Sequence, residues 1–216
     1  AEMRQRADAE GVTSLCILVD GEWDLACDEA TRTKSVDAHR KWLDAAAALG
    51  CSSIRVNLNG AGTRAEREVA SVVSLRALAE FARRVGLDVL VENHGGLSSD
   101  ASWLVDVIAK VARQQVGTLP DFGNWTIDAG TKYDRYRGVG LLMMFAKNVS
   151  AKSHDFDAQG DETSTDYRRM LKLVADAGYR GWLEVEYEGE RLSEAEGIRA
   201  TKRLIETVCS ELAGGR

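Results

Sequence analysis

The chain has 216 residues, of which 44% are apolar and 29% charged, with a formal net charge of −6 and an isoelectric point near 5.2. That composition suits a folded domain with a sizeable core and excludes a disordered chain, while the acidic balance, without any dense Lys/Arg block, speaks against a nucleic-acid partner. The longest apolar runs, residues 15–19 and 140–146, fall far short of the roughly 20 residues that span a bilayer, so no membrane partner is expected either.

In chain order, residues 2–10 read as the last turns of a helix, followed by a strand-like run at 12–19 (VTSLCILV). A helix is expected over 33–49, closed by Gly50, then a strand at 53–58 and a helix over 64–85 closed by Gly86. The run DVLVE at 88–92 reads as a strand and 100–113 as a helix opened by Asp100. Strand character returns at 117–122, 148–154 and 182–187, with helices over 164–177, closed by Gly178, and 193–212, opened by Ser193.

Cys16, Cys27, Cys51 and Cys209 include no close pair of the zinc-binding kind and are too few for a disulfide scaffold in a chain this long. Free cysteines in apolar runs act as small core residues, and a reducing, cytoplasmic setting is the expectation. Residue 1 is an alanine with no signal-like segment after it, which leaves a lost leader open.

Strand–helix alternation predicts a parallel sheet covered by helices, because parallel strands need a crossover that a helix fills. A doubly wound sheet would carry a glycine-rich phosphate turn after an early strand, and the GAG at 60–62 is too short to be one. An α/β fold of the TIM-type (β/α)8 barrel class is expected, which places functional residues at the C-terminal ends of several strands. Six strands are two short of that barrel. Residues 1–216 therefore read as a single barrel domain lacking about two N-terminal strand–helix units, on the order of 70 residues, with sheet edges left exposed.

Four strand-like runs end in a metal-ligand residue: VLVEN at Glu92, TLPDFGN at Asp121, VSAKSHDF at His154 and LEVEYEG at Glu186. The intervals of 29, 33 and 32 residues match one strand-plus-helix unit, so all four would stand at one level of the fold. Carboxylates and an imidazole on adjacent strand ends suit Mn, Co, Zn or Mg, and a divalent metal relieves the repulsion among the acids. The plainer reading of each acid alone is a helix cap.

The strings VENHGG, LPDFGNW, SAKSHDFDAQGDET and DAGYRGWLEVEYEGE make the chain resemble the sugar phosphate isomerase/epimerase proteins of the xylose isomerase-like barrel superfamily, over about residues 30–190. The resemblance implies a (β/α)8 barrel with a divalent metal near the strand C-termini, a small-molecule carbohydrate substrate, and proton transfer beside a carbonyl or hydroxyl of a sugar, keto-sugar or cyclitol. It implies metal ligation by Glu92, Asp121, His154 and Glu186, with the two glutamates as acid–base pair. One carboxylate removes a proton acidified by the neighbouring carbonyl, and its return to the other face or the other carbon gives an epimer or an isomer. A lyase or dehydratase on the same site, a non-catalytic sugar-binding barrel, and a homo-oligomer stay open. An apurinic-site endonuclease is disfavoured, since it needs more than three histidines and a basic groove.

The sequence departs from the family pattern at one place. Many relatives carry a His-x-Lys pattern where this chain has Ser150 before Lys152, with His154 two residues on. A period of two still puts Ser150, Lys152 and His154 on one strand face. Lys152 is a candidate electrophile for an oxyanion, or a salt-bridge partner. Arg55 and Asn57 alternate with Ile54 and Val56, setting two polar groups on one face of a buried strand, where an arginine needs an acidic partner or an anionic ligand. His94, Asn124, Trp125 and Glu188 complete the substrate-binding candidates, the indole as a surface for a sugar's C–H face.

Overall fold

Strand and helix alternate because nearly every helix has its start written into the residue before it. The computed structural model describes residues 2–21 and 24–214. Helix α1 (Glu2–Ala9) precedes strand β1 (Cys16–Leu18), followed by α2 (Glu29–Leu49), β2 (Ser53–Val56), α3 (Arg64–Val85), β3 (Asp88–Glu92), α4 (Ala101–Val111) and β4 (Val116–Leu119). A hairpin of β5 (Thr126–Asp128) and β6 (Thr131–Lys132) and helix α5 (Arg135–Leu142) lead to β7 (Val149–Ser153), α6 (Tyr167–Asp176), β8 (Leu183–Tyr187) and α7 (Glu194–Gly214). Asp28, Asp100, Asp134 and Asp166 each accept a backbone N–H from the first turn of the helix they open. Thr63 and Glu66 form a capping box at α3. Gly50 and Gly86 end α2 and α3 at φ 83° and 73°, a left-handed conformation that costs glycine little.

Strands β1 to β4 form one parallel ladder in sequence order, with Ile17 opposite Ile54, Ile54 opposite Val89 and Val91 opposite Thr118. Strands β7 and β8 form a second, with Val149 opposite Leu183 and Lys152 opposite Glu186. Isolated parallel bridges, Thr118 with Ala146 and Asp121 with Ser150, set β7 beside β4. Six parallel strands thus follow one another as an arc of the barrel, the number and order read from the sequence. Among the described residues no ladder joins β8 back to β1.

The helices pack consecutively on the outer face, α2 on α3 through to α6 on α7. Between them and the strands lies an apolar layer that includes Ile54, Val56, Leu75, Leu78, Val89, Val91, Leu104 and Phe122. Truncating one of its leucines to alanine costs about 2–5 kcal/mol. The inner face is polar: Arg55, Glu92, Ser150 and Lys152 are all buried there. Every residue of β2, β4 and β7 is buried, whereas β1 and β8 at the ends of the arc are only partly covered.

The hairpin and α5 have no counterpart in the sequence reading. Helix α5 includes Gly138 and Gly140, poor helix formers. Gly138 is required there, because a Cβ at that position would lie 2.1 Å from Trp125 Cζ3. Helix α6 starts three residues later than expected, since Ser164 and Thr165 spend their N–H groups on the Glu162 carboxylate and Asp166 serves as cap.

Candidate metal centre at the strand ends

Glu92 is the last residue of β3, Asp121 lies two residues beyond β4, and Glu186 is the fourth residue of β8. One carboxylate oxygen from each lies within 4.8 Å of the others, a grouping that can hold a divalent cation. Asn93 fixes the relation of the first two: its Nδ2 donates to the carbonyls of Asp121 (3.1 Å) and Asn124 (3.0 Å), and its Oδ1 accepts the Asp121 N–H at 2.8 Å. Asp121 is wholly buried, and its Oδ1 accepts the N–H groups of Gly123 and Asn124.

Strand β7, which runs between β4 and β8, contributes its second residue, Ser150. Its Oγ lies 2.7 Å from Asp121 Oδ2 and 2.8 Å from Glu186 Oε2. A hydroxyl has one proton, so it donates to one of these carboxylates at a time.

His154, expected as the fourth ligand, stands apart from this group. Strand β7 ends at Ser153, and the His154 N–H turns to Glu162 Oε1 at 3.1 Å. Its Nδ1 lies 4.0 Å from the same carboxylate, with the side chain 40% exposed. The strand face that would aim it at the centre stops one residue too early.

Two cations neutralise part of the acidic charge. Arg55 Nε pairs with Glu92 Oε2 at 2.9 Å, both side chains 4% exposed, and Arg55 also reaches Asp20 at 2.7 Å. Lys152 Nζ lies 3.0 Å from Glu186 Oε1 and 2.9 Å from Glu188 Oε1. Desolvation works against its charge, but Asp121, Glu188 and Glu186 outweigh it and hold the ammonium above its ordinary range. Burial, then repulsion from Asp121, pushes Glu92 up to about 8 against the pull of Arg55. Burial likewise raises Asp121 to about 6, opposed by Lys152 and Ser150. Desolvation, followed by Arg55 and Lys152, holds the His94 imidazole low.

The other expected substrate contacts divide. Asn57 donates from Nδ2 to Asp20 at 3.3 Å, and among the described residues no donor meets its buried Oδ1. His94 is exposed beside the centre, while Glu188 is exposed and tied to Lys152. Asn124 is committed to Glu92 Oε1 at 3.1 Å. Trp125, expected as a sugar platform, presents no exposed face: it is 2% exposed, donates its indole N–H to the Phe122 carbonyl, and packs against Tyr133 and over Gly138. Its position next to the site residues in sequence misleads, because the chain turns it into the helix layer.

Three contributors escaped the sequence reading. Asp20, two residues beyond β1, holds both Arg55 and Asn57. Ser150 stood out only as a departure from a pattern. Gly123 lets the Lys152 stem pass, since a Cβ there would lie 2.7 Å from its Cδ; the glycine within LPDFGNW was the available signal.

A family model described as xylose isomerase-like TIM barrel matches residues 1–208. Among solved structures, a D-tagatose 3-epimerase-like protein superposes with a TM-score of 0.79 at 16% identity, over 99% of this chain and 83% of that one. A 3-keto-D-glucoside 4-epimerase from E. coli gives 0.71 at 16% identity, over 95% and 83%. A xylose isomerase-like TIM barrel protein from Mycobacterium smegmatis, in complex with magnesium, gives 0.70 at 18% identity, over 97% and 77%. No curated protein matches the sequence.

Proposed function

The chain belongs to the xylose isomerase-like TIM barrel family, and on that premise we propose that it is a divalent-metal-dependent isomerase or epimerase of a sugar, keto-sugar or cyclitol. The observation that carries this reading is the convergence of Glu92, Asp121 and Glu186 at adjoining strand ends. The donor set fits a cation. Three carboxylates and a hydroxyl with one proton leave more acceptors than donors at the centre, and Arg55 and Lys152 engage only one oxygen each of Glu92 and Glu186. Glu92, Asp121 and Glu186 would hold the ion, which when bound supplies Lewis-acid polarisation of a substrate oxygen.

The chain's own groups supply proton transfer. The two glutamates flank the centre, with the ends of β4 and β7 between them, so a carbon held there faces one carboxyl on each side. Removal of a proton beside a carbonyl by one, and its return from the other, inverts that carbon; return to the neighbouring carbon moves the carbonyl. Asn57 Oδ1, buried without a donor among the described residues, offers an acceptor for a substrate hydroxyl. The sugars named for the two epimerase structures support the same chemistry, because the carbon renamed in each reaction lies next to a carbonyl.

The test is solvent exchange in deuterium oxide, followed by proton NMR over a panel of ketohexoses and keto-glycosides with added divalent metal. Deuterium should enter beside the carbonyl with the natural protein and not with Glu186→Gln. Exchange at the natural rate in Glu186→Gln removes that residue from proton transfer.

A further inference from the structure

We infer that the cation this centre takes is a hard, oxygen-preferring ion of the magnesium class, and that Ser150 sets that preference. The inference rests on the metal-dependent reading above and names the ion. Among the described residues, the groups at the centre able to ligate a cation are oxygen donors: the carboxylates of Glu92, Asp121 and Glu186, and the Ser150 hydroxyl between the last two. None of the three histidines joins them. His39 is buried in α2 with Nδ1 against the Ser35 carbonyl, His94 is exposed beside the centre, and His154 faces Glu162. No cysteine belongs to the group either.

Oxygen-only sets suit Mg²⁺ and Mn²⁺, whereas imidazole and thiolate donors raise the relative affinity for Zn²⁺ and Co²⁺. Mg²⁺ also keeps several of its waters when few protein ligands bind it, which leaves positions for substrate oxygens. Ser150, the second residue of β7, sets an uncharged hydroxyl between Asp121 and Glu186. It is 3% exposed and pairs in register with both Asp121 and Glu184 of the neighbouring strands. A nitrogen donor at 150 would enter between Asp121 and Glu186; a hydroxyl there keeps the set hard.

Binding of Mn²⁺, followed by electron paramagnetic resonance and displaced by Mg²⁺ or Zn²⁺, tests this without reference to turnover. In the natural protein Zn²⁺ should displace Mn²⁺ with no more than about tenfold advantage, and Ser150→His should raise that advantage by at least about tenfold. Ser150→Ala, which removes the hydroxyl and adds no nitrogen, should leave the ratio within about threefold. A Zn²⁺ advantage beyond tenfold in the natural protein overturns the inference even where Ser150→His does not fold, as does a folded Ser150→His with an unchanged ratio. Asp121→Asn should abolish Mn²⁺ binding. If neither the natural protein nor any variant binds a divalent ion, the metal-dependent reading falls with the inference; if ions bind with zinc preferred, only the inference falls.

Discussion

Arg55 Nε and Glu92 Oε2 meet 2.9 Å apart with both side chains 4% exposed, so a charge on β2 is neutralised by the residue at the end of β3. A buried pair of this kind contributes little net stability while intact, because desolvation offsets much of the attraction, yet losing one partner strands the other. Arg55→Met should therefore lower unfolding free energy by about 3–5 kcal/mol. Arg55→Met with Glu92→Gln should recover much of that loss. Urea unfolding of the two variants above pH 8, where the Glu92 carboxyl is ionised, measures the difference, and equal stabilities would show that the pair is not coupled.

Stability should fall with rising pH in the presence of a chelator. Glu92 and Asp121 both bind a proton more tightly when folded than at their ordinary values of 4.5 and 3.8. The stability they contribute is complete below those values and is lost as pH rises through about 6 for Asp121 and about 8 for Glu92. The expected loss is on the order of a few kcal/mol between pH 4 and 8.5, as a falling Tm. Glu92→Gln should flatten the upper part of that slope, between about pH 6 and 8. A Tm that rises across this window contradicts the assignment.

Gly123→Ala should damage activity more than folding. The added Cβ would lie 2.7 Å from Lys152 Cδ, and Lys152 is held at its far end by Glu186 and Glu188. Displacing the ammonium should lower kcat by roughly tenfold or more, at a stability cost of about 1–3 kcal/mol. Steady-state kinetics beside thermal melting separates the two. A stable variant with undiminished kcat would mean that the position of Lys152 is unimportant.

Trp125→Ala should be a core defect, costing about 3–5 kcal/mol of stability. Substrate KM in the folded fraction should change by less than about threefold, since the indole touches Tyr133 and Gly138 rather than the centre. A large rise in KM with little change in Tm would restore Trp125 as a sugar contact.

The barrel strands were legible because each is a short apolar run between turn residues, and their order followed from alternation with helices. Glu92, Asp121 and Glu186 were legible for the same reason, standing at the ends of those runs. His154 was misplaced because a period of two holds only while the strand lasts, and β7 stops at Ser153. Asp20 was hidden: nothing local marks an exposed acid as the partner of Arg55, 35 positions away. Helix α5 was hidden by Gly138, a residue that answers to Trp125 rather than to helix propensity.

The seam between the two parallel ladders has a mechanical consequence. Glu92 and Asp121 belong to the β1–β4 side and Glu186 to the β7–β8 side, with the seam closed near the centre by the Asp121–Ser150 bridge. The spacing of the three carboxylates is therefore a gauge of how far the two halves stand apart. A ligand clasped by all three acts as a staple across that joint, and it should slow amide exchange on both sides together, reaching residues that never touch it.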